Sequence, residues 1–287
     1  MAKLRSLARH TLDSLSPSAA TLFRSLRDER AAGGVARDTP FGFTLIGSPS
    51  QASGTYEESE VGIFLEHLKE AEVCIDVGAN VGFYTCLAAS RHKHVIAFEP
   101  LHGNLKALYA NLDANGFLDV EVYPLGLAGT AGIRRLFGGN TGASFLPDWA
   151  GTPREWSRIV PATTLDLLLN SRFSGKQILI KVDVEGFEVD VLKGARLILE
   201  SNPKPTWLME ICLDKNQPKK GGNPRFLETF EIFWASGYEA RTADAERRLV
   251  DRSDVMRWTG RGETDFGGFN YLFSRAQSRG AGASPEL

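Results

Sequence analysis

The chain is expected to fold as an open, doubly wound, mostly parallel α/β sheet of about seven strands with helices on both faces. Three observations carry this expectation. Short apolar runs alternate with stretches of helical spacing, so strand follows helix repeatedly along the middle of the chain. The runs at 73–77 and 178–182 have the length and composition of buried strands. The first of them passes through glycines straight into a helical segment, the turn at which an open α/β sheet receives a nucleotide.

From Glu58 the pattern becomes regular, with a helix through 61–70 and then the strand 73–77. A helix over 83–90, a strand over 94–98, a helix over 105–115 and a strand over 120–123 follow. That alternation implies parallel pairing through right-handed crossovers. Segments 133–137 and 158–160 read as extra strands around a loop over 138–156. Thr163, Thr164, Leu165 and Asp166 have the spacing of a capping box opening a short helix over 165–169. The strand 178–182 precedes a helix over 188–199, whose early acids Glu188 and Asp190 suit its positive end. A strand over 207–211, a helix over 226–236 and a last strand over 270–273 complete the sheet.

Three domain segments are expected: an N-terminal helical extension and linker over 1–55 with one edge strand at 41–46, a catalytic domain over 56–276, and a disordered tail over 277–287. The first 30 residues have helical spacing, but Arg5, Arg9 and Asp13 interrupt it too often for a signal-peptide core or a transmembrane segment. They read as a solvated helix that packs on the domain or on a second subunit, with a membrane-surface helix as the alternative. A net charge of −2 offers no general attraction to nucleic acid or anionic lipid. Cys74, Cys86 and Cys212 form no C-x-x-C pair, which argues against a disulfide framework or a zinc site and fits a reducing cytoplasm.

The motif Asp76-Val77-Gly78-Ala79-Asn80-Val81-Gly82 sits at the strand-to-helix turn. A dinucleotide fingerprint would need glycines at 78, 80 and 83, where the chain has Gly78, Asn80 and Phe83, so a tight pyrophosphate fit is disfavoured. S-adenosylmethionine carries no phosphate and makes no such demand. Glu99 closes the second strand, 21 residues after Gly78, near the spacing at which an acid reaches ribose hydroxyls in this architecture.

These pieces resemble the FkbM-type methyltransferases, and the resemblance runs from about Cys74 to Phe273. It rests on residues 75–82, on Phe98-Glu99-Pro100 with Asn104 and Asn111, and on Thr164-Leu165-Asp166. Its most specific part is Ile180-Lys181-Val182-Asp183-Val184-Glu185-Gly186-Phe187-Glu188, followed by residues 191–195, Met209-Glu210-Ile211 and Asn270-Tyr271-Leu272-Phe273. The resemblance implies a Rossmann-like methyltransferase fold, S-adenosylmethionine as donor, and O-methylation of natural products or glycans. The donor-binding residues are then expected at Asp76, Gly78, Asn80, Gly82, Phe83, Glu99 and Pro100. The chain departs from the family pattern at Gly126-Leu127-Ala128 and in 214–225, where Lys215, Lys219, Lys220 and Arg225 read as a solvated basic loop or as a lid over substrate.

Methyl transfer needs a nucleophile held in line and its proton removed. Asp183 follows a central strand and is the first choice for the base. Glu185 and Glu210 approach the same sheet edge, and the three carboxylates together are equally a set for Mg²⁺. The expected acceptor is a hydroxyl of a small molecule or glycan. The loop 140–144 is either a substrate contact or a plain turn, and His92, His94 and His102 lack ligand-like spacing. A nucleic acid methyltransferase is disfavoured because the strand end reads Asp183-Val184-Glu185-Gly186, without the Pro-Pro-aromatic arrangement used to hold an exocyclic amine, and no Pro-Cys nucleophile is present. A non-catalytic S-adenosylmethionine-binding scaffold is the alternative from another class.

Overall fold

The computed structural model describes residues 35–218 and 222–276. In chain order it contains β1 (Arg37–Asp38), β2 (Thr44–Leu45), α1 (Pro49–Ser53), α2 (Glu58–Glu70), β3 (Val73–Val77), α3 (Phe83–Ala89), β4 (His94–Phe98), α4 (His102–Asn115) and β5 (Glu121–Tyr123). There follow β6 (Gly126–Leu127), β7 (Gly132–Phe137), β8 (Ser157–Thr163), α5 (Leu165–Leu169), β9 (Ile178–Val182), α6 (Glu188–Lys193), α7 (Arg196–Leu199) and β10 (Thr206–Glu210). The last elements among the described residues are α8 (Phe226–Ala235), β11 (Tyr238–Thr242), β12 (Leu249–Val250), α9 (Arg252–Arg261) and β13 (Asn270–Arg275).

The central sheet has eight strands in the order β12-β11-β13-β10-β9-β3-β4-β5. From β5 to β10 the pairing is parallel, and β13, β11 and β12 add to it antiparallel. Side chains alternate strictly between the two faces, the period that a pleated strand imposes. Ile75, Ile180, Met209 and Phe273 join one core with Val191, Phe226, Phe230 and Trp258 from the helices of that side. Cys74, Leu179, Leu208 and Leu272 join the other, with Phe64 of α2, Leu87 of α3 and Leu108 of α4. Both faces are therefore covered, as a doubly wound sheet requires. A three-stranded sheet, β6-β8-β7, stands beside the carboxyl end of the main one.

Several expectations are corrected in detail. Residues 35–55 are no linker: Phe43 and Leu45 are buried in the second core, and Asn111 and Asn115 of α4 hydrogen-bond the backbone of Ile46 and Thr44. The cap of α5 is Thr164, whose hydroxyl accepts from the Leu167 N–H, one residue later than the spacing suggests. Asp166 instead accepts the Leu197 and Ile198 N–H groups, capping α7. The helix expected over 188–199 consequently breaks into α6 and α7. The sheet gains β11 and β12, two strands that no apolar run marks in the sequence, and the expected last strand, β13, pairs between β10 and β11. The N-terminal helical expectation and the tail at 277–287 lie outside the described residues, as do Lys219 and Lys220.

Candidate active site

The chain leaves β3 through Gly78, whose φ of +84° a side chain rarely adopts. A Cβ there would stand 1.8 Å from the Asp183 carbonyl oxygen, so glycine lets the β3 and β9 ends approach. Gly78 and Ala79 both donate their N–H to the Phe98 carbonyl, and Asn80 donates its N–H to Glu99 Oε2 at 2.8 Å. The other Glu99 oxygen accepts the Leu101 N–H at 2.7 Å. Burial pushes the Glu99 carboxyl up to about 7, against the pull of these two N–H groups and of Asn104.

A cavity partly open to solvent lies at this edge. Gly78, Asn80, Glu99, Pro100, Asp183 and Glu185 line it, together with apolar Phe98, Leu127, Leu136 and Phe145. Asn80 Oδ1 and Asp183 Oδ1 are buried atoms with no hydrogen-bond partner among the described residues. Seven of the ten expected site residues were placed at the donor motif, but three of those do not line the cavity. Asp76 is buried on the sheet and accepts from the Thr85 hydroxyl at 2.6 Å; burial raises it to about 6. Gly82 precedes α3, and Phe83 packs among Phe41, Phe43, Tyr56 and Tyr84.

Asp183 extends the β9 line and donates its N–H to the Val77 carbonyl at 2.9 Å. Burial raises its pKa, and the Lys181 ammonium opposes that rise. Glu185 accepts from the Trp149 indole N–H at 2.6 Å; burial and then the Asp183 carboxylate push it up to about 8. Gly186, at φ +91°, makes room for the Trp149 ring, which a Cβ would meet at 2.4 Å. Ser144 ties the same loop down, its hydroxyl donating to the Glu185 carbonyl at 2.6 Å. Glu210 lies away from the cavity lining, and burial followed by the Asp183 carboxylate raises it well above the carboxylate range. Trp149 and Lys181 are the residues of this region whose importance is invisible without the fold. A lone Trp in a loop gives no periodic signal, and Lys181, on the opposite side of its strand from Val182, reads simply as the partner of an acid.

The expectation of a three-carboxylate Mg²⁺ set fails on donor geometry: among the described residues no group of three or more His, Cys, Asp or Glu is arranged to hold a metal ion. Nor, among them, is any helix long and apolar enough to cross a membrane.

A parallel sheet with a Gly-rich turn after its first central strand, an acid at the end of the next and a cavity over both is the Rossmann-like architecture of nucleotide-type ligands. Residues 76–240 match the methyltransferase FkbM domain, and the chain belongs to that family. Hexuronic acid methyltransferase AglP of Haloferax volcanii is 33% identical over 154 residues, a match that covers 50% of this chain and 59% of that protein. Among solved structures, the O-methyltransferase from Bacillus cereus in complex with SAH aligns at 14% identity and TM-score 0.41, covering 93% of this chain and 96% of that one. The CcbJ methyltransferase from Streptomyces caelestis aligns at 14% identity and TM-score 0.41, covering 80% and 91%. Scores this low add nothing to the topology described above.

Proposed function

We propose that the protein is an S-adenosylmethionine-dependent methyltransferase that methylates a hydroxyl of a sugar, glycan or related small natural product. The observation that carries this proposal is that one cavity is lined both by Glu99, a buried carboxylate just past the end of β4, and by Asp183, whose Oδ1 has no hydrogen-bond partner among the described residues. Family membership supports the reaction class. The Haloferax relative, named for methylation of a hexuronic acid, supports a sugar acceptor.

The donor supplies a methyl group already activated on a positively charged sulfur. Glu99 accepts its ribose hydroxyls, since a carboxylate holding two N–H groups keeps lone pairs free. Asn80 Oδ1 offers a further acceptor, and Phe98, Leu127 and Leu136 give the adenine an apolar slot. Asp183 takes the acceptor's proton as the oxygen–methyl bond forms and the carbon–sulfur bond breaks, leaving a neutral thioether. Its raised pKa brings it nearer the range in which a carboxylate serves as a general base. Glu185, held by Trp149, fixes the loop that closes the cavity. Asp76 supports the sheet through Thr85 rather than touching the donor. No step is assigned to a metal. The catalytic unit we assign is 56–276, with 35–55 packed on it, in a cytoplasmic setting.

Calorimetric titration with S-adenosylmethionine and, separately, with NAD tests the donor class. Saturable binding of the first alone is expected; tighter binding of NAD would overturn the assignment.

A further inference from the structure

Beyond Asp183, on the sheet face otherwise filled by Cys74, Leu179, Leu208 and Leu272, lies a second group of polar side chains. Alternation carries Asp76, Lys181, Glu210 and Asn270 to that face, Asp76 beside Lys181 on neighbouring strands and Glu210 opposite Asn270. The start of α2 and the residues before it complete the group. Tyr84 donates its hydroxyl proton to Glu57 Oε2 at 2.8 Å, and Asn270 Nδ2 donates to Glu60 Oε1 at 3.2 Å. The Lys181 ammonium stands 5.3 Å from the centre of the Tyr84 ring.

Two atoms of this group have no hydrogen-bond partner among the described residues: Lys181 Nζ and Asn270 Oδ1. Their side chains belong to residues only 1% and 2% exposed. An ammonium buried without hydrogen bonds carries a penalty that folds rarely accept for structure alone. Tyr56, Glu57, Glu60, Asp183 and Glu210 around them are only half-buried, so the group is not sealed from solvent.

We propose that this group is the acceptor subsite, and that it selects a neutral polyhydroxylated ring over a hexuronate. The proposal rests on the methyltransferase function above. Lys181 and Asn270 hydrogen-bond the hydroxyls that flank the reacting one, while Glu57 and Glu210 accept from others. A sugar presents both donors and acceptors and satisfies the two orphaned atoms together. A hexuronate carboxylate would join the carboxyl groups of Glu57, Asp183 and Glu210 with a single ammonium among them. Burial moves Glu210 towards its neutral form, which still leaves the carboxyl groups of Glu57, Glu60, Asp76 and Asp183 around one cation. Lys181 stays charged: burial disfavours the ammonium, but the fields of Asp183, Glu57 and Glu210 outweigh it. Lys215 is engaged over the Phe269 ring. Like-charge repulsion at such a site selects against an anionic acceptor. The subsite thus differs from what the name of the Haloferax relative would suggest.

The test uses the full chain loaded with S-adenosylmethionine, binding first being established by calorimetry. Methyl glucoside, galactoside and mannoside are each compared with the matching methyl uronate by release of S-adenosylhomocysteine. Turnover is expected among the neutral glycosides, with kcat/KM at least about ten-fold above the matching uronate. Asn270→Ser and Lys181→Met are expected to raise KM for the neutral glycoside by roughly ten-fold or more while donor affinity stays within about two-fold. If Lys181→Met does not fold, Asn270→Ser alone decides. Equal or better turnover of a uronate, no turnover of any glycoside by loaded protein, or unchanged acceptor kinetics in the folded variants would overturn the proposal. Failure to bind the donor at all would instead overturn the methyltransferase assignment.

Discussion

Replacing Glu99 by Gln tests the donor site with little change of shape. In the folded chain both carboxylate oxygens accept a backbone N–H, from Asn80 at 2.8 Å and from Leu101 at 2.7 Å. The amide keeps one acceptor oxygen and turns an NH₂ towards the other N–H. A charge-assisted bond to a ribose hydroxyl contributes about 1.5–3 kcal/mol, and a buried N–H left unpaired costs about 1–3 kcal/mol. The first should weaken S-adenosylmethionine binding by about 1.5–3 kcal/mol, or roughly 10- to 140-fold in Kd, while the second is present with or without donor and lowers only the stability of the folded chain. The pH dependence gives a second readout. Glu99 is pushed up to about 7, and ribose hydroxyls prefer the ionised form. Wild-type affinity should therefore rise about ten-fold per pH unit below 7 and level off above it, whereas the Gln variant should be flat. Stability runs the other way. The unfolded carboxyl loses its proton near 4.5 and the folded one near 7, so stability falls as pH rises through that window. Calorimetry from pH 5.5 to 8.5 is the assay. A Gln variant that binds within about three-fold of wild type, or keeps the wild-type pH profile, would refute the role given to Glu99.

Three other outcomes follow from the geometry. Gly78→Ala places a Cβ 1.8 Å from the Asp183 carbonyl at a φ of +84°; loss of folded protein, or destabilisation of about 3 kcal/mol or more by chemical denaturation, is expected. Trp149→Phe removes the indole N–H from Glu185 and should lower stability by about 1–3 kcal/mol, read as a fall in Tm of about 2–4 °C per kcal/mol. Turnover should survive excess EDTA, because the site carboxylates do not form a metal-holding group; restoration of chelated enzyme by Mg²⁺ alone would show otherwise.

Much of the parallel half of the sheet was legible because β3, β4 and β9 are short apolar runs whose ends coincide with changes in hydrophobic period. The antiparallel half was harder. α9 buries only Asp254, Val255 and Trp258 in a polar segment, β12 is two residues long, and β13 lies between strands that precede it in the chain. Glu99 and Asp183 could be picked out by their distance from a glycine turn or their place at a strand end. Their surroundings could not, because Trp149 reaches Glu185 across 36 residues and Asn270 reaches Glu60 across 210. Nor could the surroundings of Asp76, which alternation sends to the face where the Thr85 hydroxyl of α3 donates to it.

The most direct test of the central claim is transfer itself. Wild-type protein and Asp183→Asn would be incubated with S-adenosylmethionine carrying a deuterated methyl group and a panel of neutral glycosides, with products analysed by mass spectrometry and NMR. The expected result is an O-linked labelled methyl on one hydroxyl, matched by one S-adenosylhomocysteine. In Asp183→Asn, kcat should fall about 10²- to 10⁴-fold with donor affinity nearly unchanged. Label on nitrogen or on a carboxylate, or an Asn variant as fast as wild type, would contradict it.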